Sequence, residues 1–213
     1  MNTFSITGDH YLYPTPSGTY YAVNSPETEP YRLFLRRLLA EQETPQFTVD
    51  LIQEWTLMDE QDALEFVYRL QVSGFIQGLP MPLSVPEGNL ETLLPVLLER
   101  LSDEGKAVVA EKRGLYLGSS GYSHETTEEL AALGADLAVV RDRHRGLLNN
   151  NLRLPGGALG LVNASGSSEV GFWPIYFGND YFILVIGGLP QFNQTAFTTL
   201  VWSLGVRYGG MVD

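Results

Sequence analysis

The sequence predicts a mixed α+β protein in two parts: a mainly helical N-terminal domain and a larger domain containing a β-sheet. Apolar residues at helical spacing characterise the first part, and short apolar runs separated by turn residues characterise the second. Three prolines interrupt residues 79–88 (LPMPLSVPEG) and favour an extended connection there. We therefore predict a first domain at 1–79, a linker at 80–88 and a second domain at 89–213.

The first domain is predicted to open with a β-hairpin. Residues 11–13 and 19–23 read as strands, and the prolines and glycine of the intervening PTPSG favour a turn. Three helices and a short strand should follow. Capping residues, apolar spacing and the terminating glycine at 74 predict the helices at 30–42, 48–55 and 59–73 and the strand at 75–76.

Three helices followed by a strand resemble a winged-helix domain, a fold that often binds DNA. Residues 1–86 contain four arginines, no lysine and eleven carboxylates, a net charge of −7. The third helix, which would enter a DNA groove, carries Glu60, Asp62 and Glu65 against the single cation Arg69. Because phosphate neutralisation supplies most non-specific DNA affinity, we expect a protein-interaction module and no nucleic-acid partner.

The second domain contains the most informative stretch of the chain, residues 106–121 (KAVVAEKRGLYLGSSG). Two apolar runs flank a polar turn that ends at Gly114, a residue free to adopt positive φ, and this pattern predicts a β-hairpin. A long helix should begin near Thr126, because Thr126 and Glu129 have capping-box spacing.

Further elements surround this hairpin and helix. Leucines at helical spacing predict a helix before the hairpin, and apolar runs predict three strands and a closing helix after the long helix. The predicted ranges are 89–104 for the first helix, 158–163, 171–177 and 181–187 for the strands, and 193–208 for the last helix. Pro174 lies inside the second of these strands, which indicates an edge position or a bulge.

With its G-L-x-L-x-S-S-G type hairpin, this order of elements resembles the Roadblock family of dynein light chains and bacterial or archaeal regulators of small GTPases. The resemblance covers about residues 89–210. It implies a profilin-like α-β-β-α-β-β-β-α domain with a five-stranded antiparallel sheet. It also implies a homodimer in which the long helices (126–145) lie side by side and the strands at 158–163 join the two sheets.

The resemblance and the small residues of the long helix together predict an interface. Small side chains let another backbone approach closely, although the same pattern also fits ordinary core packing. The predicted dimer or partner interface comprises Leu130, Ala131, Gly134, Leu137, Ala138, Arg141, Leu159 and Leu161. A basic cluster at 141–145 is explained by the helix dipole or as the rim of an interface with an acidic partner.

No catalytic, cofactor or metal site is expected. The chain contains no cysteine, no phosphate-binding loop and no G-x-S-x-G motif. The carboxylates around His124 are better explained by the dipole of the following helix than by metal binding. The N-terminus lacks the pattern of a secretory signal and no segment approaches the ~20 apolar residues of a membrane span. We expect a soluble cytoplasmic protein with no membrane partner.

These observations predict a non-enzymatic regulatory or scaffolding protein that homodimerises and binds a small Ras-like GTPase or its complex. Three alternatives remain. The chain is a small-molecule sensor if Trp173, Tyr176, Phe177 and Tyr181 line a pocket, or a winged-helix transcription regulator. It acts directly on a GTPase if Arg113 or Arg143 serves as an arginine finger.

Overall fold

The computed structural model describes residues 4–154, 156–178 and 180–208. The helices are α1 (Pro16–Val23), α2 (Pro30–Leu38), α3 (Val49–Thr56), α4 (Glu60–Val72), α5 (Leu90–Arg100), α6 (His124–Arg143) and α7 (Thr195–Tyr208). The strands are β1 (Tyr11–Pro14), β2 (Ile76–Leu79), β3 (Ala107–Glu111), β4 (Tyr116–Ser120), β5 (Leu159–Val162), β6 (Ser168–Phe177) and β7 (Asp180–Gly187). A π-helical turn, Gly146–Asn151, follows α6.

The predicted N-terminal hairpin is wrong. Strand β1 pairs antiparallel with β2, some sixty residues along the chain, and the segment predicted as its partner is helix α1. Thr15 caps this helix by accepting a hydrogen bond from the backbone N–H of Gly18 at 3.1 Å. Pro16 occupies the first turn, where its missing N–H is not needed. The PTPSG segment is therefore a helix start rather than a turn between strands.

The three helices predicted next are present as α2, α3 and α4, and β2 follows them. A short turn joins α3 to α4, in which Leu57 has a left-handed backbone (φ 58°) and Asp59 caps α4. Residues 80–89, all of which the structure describes, contain no helix. Backbone hydrogen bonds of 2.9 Å from Val85 N–H to the Gln42 carbonyl and from Thr44 N–H to the Leu83 carbonyl hold this segment to the preceding chain.

The C-terminal part contains the predicted five-stranded antiparallel sheet, in the order β4-β3-β7-β6-β5. The observed elements follow the predicted order α-β-β-α-β-β-β-α. Helix α6 covers one face of the sheet, where Ala138 packs with Phe172 and Ile183. Helices α5 and α7 cover the other face, where Leu98 and Leu200 join the larger apolar core. The two faces of the sheet are thus covered by different helices.

The start of α6 and the position of Pro174 in β6 differ from the simplest expectation. Helix α6 begins at His124, and its cap is Ser123, which accepts from the backbone N–H of Thr126 at 3.3 Å, so the predicted cap is wrong by three residues. Strand β6 is an inner strand, but β5 pairs with it only as far as Phe172. Pro174 therefore lies on a stretch of β6 that has β7 alone as its partner, so its missing N–H costs no hydrogen bond to β5.

Helix α7 connects the two parts of the chain. One apolar cluster runs from Leu12 to Leu204 and includes residues from the N-terminal helices, the sheet and α7. The buried hydroxyls of Thr19 and Thr198 are hydrogen-bonded at 3.2 Å, which links α1 to α7. The Trp202 indole N–H donates to the Glu41 carbonyl at 2.7 Å. Core packing of the N-terminal helices thus depends on a helix from the far end of the sequence.

Candidate interaction surface

The small-residue side of α6 faces the chain's own sheet. Ala131, Gly134 and Ala138 are buried within the single chain. A β-carbon on Gly134 would lie 3.0 Å from the Cγ2 atom of Ile183 in β7, so the helix and the sheet are already in close contact there. These three members of the predicted interface are core residues of the single chain. Those that remain accessible to a partner are Leu130, Leu137, Leu159 and Leu161, which are half-buried or exposed.

Arg141, another predicted interface residue, is also buried, at 4% exposure. Its guanidinium donates to the Tyr176 hydroxyl at 2.7 Å and to Asp142 at 3.3 Å. Gly157 lies directly above it, because a β-carbon there would be 3.2 Å from the Arg141 Nε atom. Burial raises the pKa of Tyr176, and the charge of Arg141 opposes this shift. Arg141 therefore anchors the end of α6 to β6 and to the loop before β5.

Exposed apolar side chains occur on the outer side of α6, in the segment that follows the helix and on β5. We define the α6–β5 patch by its exposed apolar residues, which are Leu133, Val139, Val140, Leu147, Leu152, Leu154, Leu161 and Val162. Of these residues, the predicted interface included Leu161 alone. The leucines of the segment GLLNNNLRL were not recognised as surface residues. Their spacing follows neither a helical nor a strand period, because the chain forms a π-helical turn there.

Strand β5 lies at the edge of the sheet beyond the cover of α6. Leu161 pairs with Val170, whose side chain packs in the cluster beneath α6, so Leu161 points to the same face of the sheet. The main contacts of α6 are with β3, β4 and β7. Leu161 remains 48% exposed as a result. An open strand edge therefore adjoins an uncovered apolar surface.

The pocket predicted for a sensor does not form from the four aromatic residues proposed. Trp173 lies on the α7 side of the sheet, with its ring 5.2 Å from that of Phe192, and Tyr176 lies on the α6 side against Arg141. A cavity of about 240 Å³ instead opens at the end of the sheet beside the β3–β4 turn. Its lining residues are Glu111, Lys112, Arg113, Phe177, Asp180, Tyr181, Phe182 and Tyr208. It contains two cations and two carboxylates, so its charges balance.

We expect the pKa of the Asp180 carboxyl to lie below its ordinary 3.8, because it accepts from Lys112, 2.7 Å away, as well as from a backbone N–H. A depressed pKa means that the carboxylate stabilises the fold above pH 3.8 and that this contribution is lost as the pH falls. Carbon-detected NMR titration measures the pKa. Lys112→Met should raise it, whereas Lys106→Met, which removes the partner of Glu104, should not. An unchanged Asp180 pKa in Lys112→Met would contradict this assignment.

Arg113 and Arg143, the two candidates for an arginine finger, are both exposed, on the β3–β4 turn and at the end of α6. The residues that the structure describes contain no group of three or more histidine or carboxylate side chains placed to hold a metal ion. His124 contacts the Tyr116 hydroxyl at 2.9 Å and Glu128 at 3.5 Å. Among the described helices, none has the length and apolar character needed to cross a membrane.

The sequence matches no protein-family model and no curated protein. Two solved structures of a Roadblock/LC7 domain from Streptomyces avermitilis are similar to just over half of this chain. The first structure is 17% identical, with a TM-score of 0.35, covering 56% of this chain and 93% of its own. The second is 18% identical, with a TM-score of 0.33, covering 57% and 98%.

Proposed function

We propose that the protein is a non-enzymatic regulatory or scaffolding protein of the cytoplasm. It homodimerises through the α6–β5 patch and presents the paired surface to a protein partner, of which a small Ras-like GTPase or its complex is the first candidate. The N-terminal part then serves as a winged-helix-like interaction module joined through residues 80–88.

The observation that carries the dimer is the coincidence of an open strand edge with uncovered apolar side chains. An unpaired edge strand exposes N–H and C=O groups that readily pair with another chain, and two-fold pairing of like strands removes that hazard. Pairing of β5 with β5 would bring the partner's α6 towards Leu161 on the uncovered face. The apolar residues Leu133 and Val140 would be covered by the same movement. A single β5–β5 contact would therefore both pair the open strand edge and bury the exposed apolar side chains.

Leu161→Lys is expected to convert the dimer to a monomer. Burying the exposed half of the Leu161 side chain contributes about 1 kcal/mol, a two-fold interface uses each residue twice, and the lysine ammonium would also have to be desolvated, at about 1–3 kcal/mol. Because every 1.4 kcal/mol is a factor of ten, the dimer dissociation constant should rise by at least a hundredfold. Sedimentation equilibrium measures this constant. Leu115→Lys, at a leucine 66% exposed outside the patch, is the matched control. A native protein that is monomeric at 100 µM, or a dimer unaffected by Leu161→Lys, would exclude this interface.

The GTPase is tested separately with purified partners. Ras-like GTPases of the source organism, loaded with GDP or a non-hydrolysable GTP analogue, are passed over the immobilised protein. A regulator should retain one nucleotide state at least tenfold more strongly than the other. Should Arg113 or Arg143 act as an arginine finger, its replacement by alanine would lower the single-turnover rate of GTP hydrolysis by about a thousandfold and leave binding intact. Equal or absent retention of both states would remove the GTPase from the proposal and leave the dimer standing.

A further inference from the structure

The turn between α3 and α4 presents apolar side chains next to a pocket. Leu57 is 91% exposed and Met58, the following residue, is 37% exposed. Beside Met58 lies a cavity of about 230 Å³ between α2 and α4, which we call the turn pocket. Its lining residues are Tyr31, Met58, Asp62, Glu65, Phe66 and Arg69. No part of this surface belongs to the α6–β5 patch.

The turn pocket has an apolar floor that is fixed by packing. Phe66 is 8% exposed, and its ring lies edge-on to those of Tyr31 and Phe34, with centroids 4.7 and 5.5 Å away. The rim is acidic. Glu65 is paired with Arg69 at 2.5 Å, whereas the Asp62 carboxylate accepts no hydrogen bond from the side chains that the structure describes. An apolar floor with a free carboxylate at its rim suits the alkyl stem and charged head of a basic side chain.

The surrounding charge favours the same kind of ligand. Two of the four arginines of the N-terminal part, Arg32 and Arg36, are buried at 4% exposure. The other two are paired, Arg37 with Glu54 and Arg69 with Glu65. Over residues 4–86, which the structure describes in full, every cation is therefore buried or neutralised by a neighbour. The exposed carboxylates of this part set its surface potential, which attracts basic and repels acidic partners.

Leu57 is poorly suited to its place in the fold. Its left-handed backbone is the conformation that helix ends usually assign to glycine or asparagine, because a β-carbon is unfavourable there. Because the side chain is exposed, its burial within the chain contributes almost nothing to offset the unfavourable backbone conformation. Contact with a partner would account for an apolar side chain at this position, where folding alone favours glycine.

We propose that the turn pocket and Leu57 form a docking site for a basic segment of a partner protein. A lysine or arginine of that segment lies along Phe66 and Met58 with its charged head at Asp62, and an apolar neighbour covers Leu57. The site stands independently of the dimer and of the GTPase. It also agrees with the repulsion of nucleic acid by the carboxylates of α4.

A displayed library of random 12-residue peptides tests the proposal on the full chain at physiological salt. Enriched peptides should combine lysine or arginine with a leucine, isoleucine or phenylalanine. The enriched peptides are then synthesised and added to the full chain. They should shift the indole NMR signal of Trp55, which lies on α3, and leave the indole signals of Trp173 and Trp202 unchanged. Enrichment of acidic or uncharged peptides, preference for duplex DNA over peptides, or no enrichment overturns the proposal.

Leu57→Gly separates binding from folding. The variant should unfold at a urea midpoint equal to or above that of the native chain, because the left-handed backbone is relieved, and it should bind the peptide at least tenfold more weakly. Glu60→Gln with Asp62→Asn should weaken it to a similar degree, with a smaller dependence on salt. Leu115→Ser, which removes an exposed leucine elsewhere, is the control and should bind as the native chain does. Unchanged peptide affinity in Leu57→Gly, or loss of self-association in that variant, would show that a basic partner is not the occupant.

Discussion

Replacing Gly205 with alanine is expected to lower the free energy of unfolding by about 2–3 kcal/mol. The sign is informative, because alanine is the better helix former by about 1 kcal/mol and would stabilise α7 if space allowed. A β-carbon on Gly205 would collide with the carbonyl oxygen of Leu39 and lie 3.2 Å from its carbonyl carbon. Both are backbone atoms just beyond α2, so the contact is relieved only by moving α7 away. Urea unfolding followed by tryptophan fluorescence measures the change.

Ser203→Ala on the same helix is the control for this variant. Ser203 is 2% exposed, and its hydroxyl has no hydrogen-bond partner among the residues that the structure describes. Losing an unpaired buried hydroxyl should leave stability unchanged or raise it by up to about 1 kcal/mol. A stabilising effect of Gly205→Ala would contradict the close approach of α7 to the end of α2.

Gly205→Ala also tests whether the two parts of the chain unfold together. Trp202 and Thr198 on α7 make hydrogen bonds to Glu41 and Thr19 in the N-terminal part. Loosening α7 should therefore weaken the packing of both parts, and fluorescence and circular dichroism should report the same shifted midpoint. The division into domains at residues 80–88 stays a proposal about the layout of the chain. Two separate transitions, with only one of them shifted, would favour independently stable units.

Local sequence signals predicted the sheet of the C-terminal part because its turns and strands are specified by neighbouring residues. Gly114 has a positive φ of 85° in the observed turn, as the pattern required. In contrast, PTPSG contains residues that serve equally in turns and at helix starts. A contact distant in sequence favours the helix. Gly18 of α1 packs so closely on Phe75 that a β-carbon on Gly18 would collide with the Phe75 carbonyl. Packing of α1 against residues almost sixty positions away could not be read from the segment itself.

The residues of the candidate interface could also be predicted only in part. Alanines and a glycine along α6 predict that something approaches closely, but not whether it is the chain's own sheet or a partner. Ile183 of β7 occupies that side in the structure. The accessible surface instead consists of larger apolar residues such as Leu133 and Val140, together with the loop that follows α6. Which side of a helix faces the core depends on the sheet beneath it, and this information lies outside the helix.

Arg36→Met is expected to lower the free energy of unfolding by about 2 kcal/mol, although Arg36 forms no ion pair with a carboxylate among the described residues. Its Nε donates to the carbonyl of Ala22 at 2.9 Å and another nitrogen donates to the carbonyl of Ser25, so it satisfies groups at the C-terminal end of α1. Burial, aided by the charge of Arg32, lowers the pKa of Arg36 to about 10, and the side chain therefore remains charged at neutral pH. Methionine would fill the space but leave one buried and one partly buried acceptor unpaired, at about 1–3 kcal/mol for a buried one, offset in part by relief of the buried charge.

Arg37→Met is the matched control, one residue along the same helix. Arg37 is exposed, pairs with Glu54 at 3.0 Å and lies over the Trp55 ring, contacts that together contribute about 1 kcal/mol at most. Arg36→Lys should recover part of the loss, because an ammonium group can still donate to one of the two carbonyls. Thermal and urea unfolding of the three variants gives the comparison. Equal effects of Arg36→Met and Arg37→Met would mean that the end of α1 does not depend on the buried guanidinium, and that its carbonyls find other donors when it is removed.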